Sequence, residues 1–517
     1  MEASHPAESA SKPAPAHAVA AEDRVPVAQK IGYGIGCIYD MWGHWLYPTF
    51  AYLVFMFLGV RPALVGIAII LNRVFDGISD PLFGWLSDNA RTRMGRRRPF
   101  MLVGSIVAGL GLPLVVGVTP GWGSTHLLGH TIPNYFWFML ISSAIYLPLV
   151  SCFNMPYQSL GYELTPDYHE RTSVFSYQNI IKKVPELGLF FCGQFLSMSV
   201  WVGATYDNLG SKLKLLFTTT SAWAATSAEA KPNMLIGAQV FCSLAGIVMV
   251  VCGLACFALV RERYYDSLVA RRQAKISIKE TLWQTLRCQP FRMQVCMNIA
   301  YSMGLSMVST LGLTDTLYYV CRGNLSIGNR WNFKMGIAGM ILGLVGVPTF
   351  AFIARRLGKR HAMMCVYLSA IVSFVATWWL YTPSIVWLQV VATGLIAFIG
   401  AGFWTLWGSM TADVVDYDEL QGGNRREGAF ASSNSWIMKF GMAIGAGTSF
   451  FILDWIGFDA KLGGAQTGHT IFMVRFLLAA IPIVGLFLAI AALLRFPLTQ
   501  ARMAEIRAQL EARRGSV

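Results

Sequence analysis

Charge is scarce in this chain. Only 13% of its 517 residues are Asp, Glu, Lys or Arg, about half of the roughly 25% common in soluble domains. A water-facing globule of this length is excluded. Acidic residues are scarcer than basic ones, 27 against 41, and the net charge is +14. That excess is not spread as a nucleic-acid binder would need. It is confined to a few links, and segment 121–133 between them has no Lys or Arg. No Cys/His spacing fits structural zinc. The ten cysteines fall mostly inside apolar runs, and Cys252 and Cys256, four apart, read as packing. The outer links hold almost no cysteine, which argues against disulfides. The first 28 residues lack the apolar run of a cleavable signal peptide. Rich in Ala, Ser, Pro and Glu, they read as a disordered cytoplasmic tail.

What is abundant is apolar sequence. Hydrophobic residues make up 55% of the chain, with a mean hydropathy of +0.50. A spanning helix needs about 20 mostly apolar residues. Windows of that kind fall at 31–58, 62–87, 99–120, 134–160, 172–202, 233–260, 291–320, 332–354, 361–382, 384–412, 428–455 and 470–495. They predict an all-α integral membrane protein with twelve transmembrane helices. The runs are too long for barrel strands, and lipid tolerates no other spanning structure. Arg91, Arg93 and Arg96 to Arg98 follow the second run. Eight Lys/Arg against three acids lie between Arg261 and Arg292, and Arg355, Arg356, Lys359 and Arg360 follow the eighth run. Positive residues on alternate links place both termini in the cytoplasm of an inner (plasma) membrane protein.

The basic segment 261–290 divides six spans (29–260) from six (291–495), with a cytoplasmic tail at 496–517. MGRRRPFML from Met94 is echoed by LGKRHAMMC from Leu357, so that Gly95 and Gly358 correspond, as Pro81 and Pro348 roughly do. Either the halves are repeats, or two basic loops obey the same charge rule.

Asp76 and Asp80 lie one turn apart inside the second run. Residues four apart share a helix face. Two carboxylates there need a shared cation, a proton on one of them, or a basic partner. Arg73, three residues before Asp76, is a candidate for the last. All three options point to a protein that moves ions together with something else.

Four stretches carry a family likeness. They are NRVFDGISDPLFGWLSDNARTRMGRRRPF from Asn72, NMPYQSLGYELTPDYHERTSVFSY from Asn154, LYYV at 317–320, and MTADVVDYDELQGGNRREGAFASS from Met410. In this order they resemble the signatures of the glycoside–pentoside–hexuronide:cation symporters, whose best-known member is the melibiose permease. The resemblance implies a major facilitator fold of two six-helix halves with the substrate between them. It also implies no resident cofactor, a co-transported Na+ or H+, and a small glycoside, sugar or sugar acid as substrate. The partners are that substrate and the lipid bilayer, with no nucleic acid, and the oligomeric state stays open.

By the same resemblance Asp76 and Asp80 bind the cation, as the chain's metal ligands if the ion is Na+, and Ser151 and Asn154 complete that site. The melibiose permease has an aspartate where this chain has Asn154, which removes a charge and makes a proton shared by Asp76 and Asp80 a competitor to sodium. Asn154 as a plain helix–helix hydrogen bond is the other reading. Asp40 is implied as the acceptor of sugar hydroxyls, with His44 as its structural partner. Trp404 is implied as a stacking face for the sugar. Lys439 either contacts substrate or counters a helix-two aspartate. Gln158 and Asn179 stand where the permease has a tryptophan and an arginine, so an α-galactoside is a poor fit. Lys182 and Lys183 would favour an acidic sugar if they face the cavity, and otherwise anchor the span. Arg91 and Arg97 are expected to form cytoplasmic gate ion pairs with Asp413 and Asp416, or else to be solvated charge.

Two other functions compete. A related cation-coupled carrier of a lysolipid would suit the aromatic spans and the long link 203–232, which itself reads as a lid, an interfacial helix or a variable loop. A membrane enzyme acting on lipid-linked sugar would need an acid–base group. The acids at 413–419 are its only candidate, without a metal-ligating His, and the expectation is no enzymatic activity.

Overall fold

A computed structural model describes residues 24–55, 58–90, 92–127, 130–164, 168–223, 232–262, 287–422 and 427–514. Ten of its helices are long and apolar enough to cross a membrane. They include α2 (Pro62–Asn89), α3 (Arg98–Gly111, continued by a 3-10 turn), α4 (Asn134–Glu163) and α8 (Met234–Leu259). The others are α9 (Gln289–Thr314), α10 (Leu325–Leu357), α11 (Lys359–Leu380), α12 (Leu388–Gly422), α13 (Glu427–Trp455) and α14 (Gly468–Leu494). Two further expected spans are present in altered form. The first is α1 (Val27–Phe50), ending in a π-turn, Ala51–Phe55. The fifth, expected as one run over 172–202, is two helices, α5 (Tyr168–Ile181) and α6 (Lys183–Leu196). Pro185 stands in the first turn of α6, where proline is best tolerated; its missing N–H and its ring, which crowds the carbonyl four residues back at Ile181, favour the break there.

The packing repeats. In the first half α1 packs on α5 and α8, α2 on α4, and α3 on α4 and α8. In the second half α9 packs on α13 and α14, α10 on α12, and α11 on α12 and α14. Each contact of one half has its counterpart in the other, six spans on. The glycines matched by sequence also match in shape. Gly95 has φ 101° and Gly358 φ 82°, a left-handed region open to glycine but costly for other residues. One large apolar core draws mainly on residues 25–260 and a second on residues 291–506.

Across the halves, α2 lies on α13 and α6 lies on α10. These contacts concentrate at the end of the spans remote from the chain termini, here the far face. A Cβ on Gly66 would stand 2.7 Å from the Gly447 carbonyl oxygen; only a bare backbone fits there. Tyr52 Oη and Thr314 Oγ1 are 2.8 Å apart, and Asn329 Nδ2 donates to Ser197 Oγ at 3.3 Å.

Some boundaries differ from expectation. α12 continues to Gly422, so Asp413, Asp416, Asp418 and Glu419 ride on a helix rather than in a link. The segment after Phe496 forms a further helix, α15 (Gln500–Arg514), packed on α12. The link at 203–232 contains α7 (Leu209–Thr218); residues 224–231 are outside the described set. A small hairpin, β1 (Ser124–Leu127) with β2 (His130–Pro133), caps the far face.

Candidate functional site

The site grows from α2. Its Asp-x-x-Ser-Asp spacing turns Asp76, Ser79 and Asp80 toward the protein, and Asp76 and Ser79 are buried at 2% and 4% exposure. Ser151 on α4 donates to Asp80 Oδ1 at 2.7 Å and stands 3.1 Å from Ser79 Oγ. The other Asp80 oxygen receives Lys439 Nζ of α13 at 2.6 Å. Residues 359 apart in sequence thus meet as an ion pair between the two halves. Both side chains are mostly buried, where Coulomb attraction is screened far less than at a surface.

Asp76 has its own base. Arg73 NH1 lies 2.7 Å from Asp76 Oδ2, while Asp76 Oδ1 is buried without a hydrogen-bond partner. Of the remedies open to a carboxylate pair, the structure uses a basic partner for each. Arg73 is itself steadied over the Trp45 ring, 5.6 Å from its centroid.

A polar relay continues from this pair. Asn154, 1% exposed, has Nδ2 3.4 Å from His44 Nδ1 and accepts from Gln158 Nε2 at 2.9 Å. His44 Nδ1 is 3.1 Å from the Asp40 carbonyl oxygen and 3.7 Å from its carboxylate. Asp40 retains some exposure, its side chain at 26%. The spacing Asp40/His44 on α1 and Asn154/Gln158 on α4 is one helical turn in each case. Two polar groups thus lie near the seam between the halves, Asp80–Ser151–Lys439 and Asp40–His44–Asn154–Gln158, with His44 within electrostatic reach of Asp80.

Other expected residues stand apart. Trp404 is 36% exposed on α12, edge-on to Tyr301 with ring centroids 6.4 Å apart. Asn179 is exposed near the end of α5. Lys182 is exposed at the break of span five, within electrostatic reach of Cys37, whereas Lys183 is taken by Glu186 at 2.7 Å. For the gate, Arg91 lies outside the described residues. Arg97 caps α3, where its backbone N–H donates to Glu262 Oε1 at 2.7 Å, within the first half. Asp413 is held at 2.7 Å by Lys359, within the second half, and Asp416 is half-buried on α12. These two contacts brace the first and the second half respectively.

Sequence reasoning passed over Ser79 and the Gln158–Asn154 bond. Ser79 had a signal: a hydroxyl three residues after one carboxylate and beside the other. Among the described residues, no three His, Cys, Asp or Glu side chains gather as a metal site would.

The family described as MFS/sugar transport protein matches residues 32–500. The chain belongs to that family. It is a multi-pass membrane transporter with the major facilitator fold. It is similar to the isoprimeverose transporter of Lactiplantibacillus pentosus, 26% identical, covering 86% of this chain and 83% of the relative. It is similar to a glucuronide carrier protein homolog of Escherichia coli, 25% identical, covering 88% and 89%. It is also similar to the sodium-dependent lysophosphatidylcholine symporter 1 of Mus musculus, 21% identical, covering 88% and 82%. Among solved structures, a bacterial homolog of the human lysosomal transporter Spinster superposes with a TM-score of 0.59 at 11% identity, covering 92% of this chain and 97% of that one. That likeness speaks for the fold alone.

Proposed function

We propose that this protein is a secondary active symporter that carries a glycoside, sugar or sugar acid together with Na+ or H+ by alternating access, without a resident cofactor or an enzymatic step. The observation that carries the reading is the Asp80–Lys439 ion pair, set between the halves and bonded to Ser151. A cation arriving at Asp76 and Asp80 competes with Lys439 for the same oxygens. Displacing the lysine loosens one of the deepest links between α2 and α13. Counting formal charge, Asp40, Asp76 and Asp80 face Arg73 and Lys439, which leaves one negative charge for one monovalent cation.

The substrate takes the polar relay. Asp40 accepts hydroxyl hydrogens, Gln158 and Asn154 supply amide donors and acceptors, and Trp404 offers a ring face from the second half. The freed Lys439 can then meet the substrate rather than Asp80. The exposed Lys182 favours a carboxylated sugar over a neutral one. Coupling follows if closure around the pair of ligands is favourable while closure around one alone is not. In this reading Arg91 and Arg97 engage Asp413 and Asp416 when the terminal face shuts, both termini are cytoplasmic, and the protein sits in the inner membrane.

A second reading, a lysolipid carrier, draws on the likeness to the mouse symporter and on α7, beside which Phe217 and Trp223 are exposed. The test for both is uptake into proteoliposomes of labelled glycosides, pentosides, uronic acids and lysolipids under an imposed Na+ or H+ gradient. The expected result is accumulation of a sugar or sugar acid under one gradient and none by Asp80→Asn. Movement of lysolipids alone would replace the first reading by the second. Accumulation undiminished in Asp80→Asn would overturn the coupling site.

A further inference from the structure

The second half holds a carboxylate that this mechanism leaves unused. Asp315 opens a π-turn, Asp315–Val320, at the far end of α9. It is 1% exposed, and neither of its carboxylate oxygens has a hydrogen-bond partner. An ionised carboxylate buried without hydrogen bonds is far less stable than the neutral acid.

The groups around it do not discharge this cost. Arg475 of α14 is the nearest cation acting on Asp315. Its guanidinium donates from one terminal nitrogen to the Trp378 carbonyl and stacks 4.4 Å from the Trp378 ring and 4.6 Å from Tyr319, while its buried Nε has no hydrogen-bond partner and donates to neither Asp315 oxygen. Tyr381, beyond α11, is the other titratable group within reach. From α12, Gln389 has its oxygen taken by Thr316 at 3.0 Å. α10 also packs on the turn, but its Arg330 reaches the Trp223 carbonyl and its Lys334 lies over Trp331. Asp459 acts on Tyr318 within the turn. A metal ion is a poor occupant, because Arg475 repels it and the oxygen of Gln389 is spent.

The position gives the group a role. The residue before Asp315 is Thr314, whose hydroxyl meets Tyr52 of the first half at 2.8 Å. That bond belongs to the contact that shuts the far face. Opening this face parts Tyr52 from Thr314 and lets water reach the turn, where an ionised carboxylate is tolerated. We infer that Asp315 is a proton-binding site of the far-face seal, so that protons from the far side favour the sealed conformation. Linkage requires this: whichever state binds the proton more tightly gains population as pH falls. The proton is taken up and released on the same side, so it regulates the cycle and is not the ion coupled at Asp76 and Asp80. π-turns are rare, and those found in helices frequently lie at functional sites.

The test uses the full chain in lipid nanodiscs, free of substrate. Spin labels are carried on ketone amino acids placed at the exposed Asp207 and Ile385, which spares the native cysteines. Distances are read from about pH 5 to about pH 9, the span over which a buried carboxyl can titrate. The wild type is expected to hold a short distance at low pH and to gain a longer population as pH rises. Asp315→Asn should stay short throughout, and Asp315→Glu should restore the response. Arg475→Gln, which removes the one nearby positive charge, should move the midpoint to higher pH. A wild type whose distances ignore pH would overturn the proposal, whether or not the variants fold. So would a wild-type response surviving in Asp315→Asn, or an unmoved midpoint in Arg475→Gln.

Discussion

α2 and α10 are the second span of their respective halves, and each packs against a helix of the opposite half. Aligned on Pro81 and Pro348, Asp80 falls opposite Val347 and Asp76 opposite Gly343. In α2 that face is polar and mostly buried, with Ser79 between the carboxylates; in α10 Val347 is 43% exposed. Their cross-half partners differ in the same way. α13 brings Lys439 to α2, while α6 brings Phe190 to the bare backbone of Gly336 on α10. The first seam therefore carries a buried ion pair, while the second shows close packing and a neutral Asn329–Ser197 hydrogen bond. On the proposed function, the first is the seam at which a cation acts. The repeat supplies a symmetric hinge, and departure from the repeat supplies the chemistry.

The strongest challenge to this comparison is to exchange the two faces. Asp80→Val combined with Val347→Asp keeps the composition and moves the carboxylate to the other seam. Gradient-driven accumulation in proteoliposomes is expected to vanish, because Ser151 and Lys439 stay behind. Val347→Asp alone should lower stability by roughly 2.5–3.5 kcal/mol, the insertion cost of an aspartate at mid-bilayer, read as the midpoint of thermal unfolding in detergent. Restored accumulation in the exchanged protein would mean that the seams are equivalent.

A second effect, on stability, is expected within the charged seam. Removing one partner of a buried pair costs roughly 3–5 kcal/mol, because the other is left uncompensated. Asp80→Asn and Lys439→Gln should each lower the unfolding midpoint, and the double variant should recover part of the loss. Additive losses in the double-mutant cycle would show the pair to be uncoupled.

The smallest change sharpens ion choice. Asn154→Asp restores a carboxylate beside the relay and adds one negative charge. Uptake should persist with a stronger dependence on Na+ relative to H+, measured as the external Na+ giving half-maximal rate. An unchanged ion dependence would place Asn154 among purely structural hydrogen bonds.

Much of the fold was legible in sequence, since twenty-residue apolar runs report directly on spans. The break in span five was less so, although Pro185 marks it in retrospect. α12 outran its expected end because its polar tail, Asp413 to Gly422, still favours helix while no longer favouring lipid. The carboxylate pair was legible from i, i+4 spacing inside apolar sequence. That Lys439 meets Asp80 rather than substrate was one of two open readings, because spacing says nothing of contacts 359 residues apart. The relay through Asn154 and Gln158 depends on how α1 and α4 face one another, which no local pattern encodes. The separate anchoring of Arg97 and Asp413 depends on which face of the protein is closed.

The central claim is that movement of the cation passes through the carboxylates of α2. The direct measurement is cation flux driven by downhill substrate, in vesicles with no initial ion gradient, followed with a Na+- or H+-sensitive probe. Wild-type protein should move one kind of cation with the substrate, while Asp76→Asn and Asp80→Asn should move substrate without it. Cation flux that persists in both variants would contradict the account.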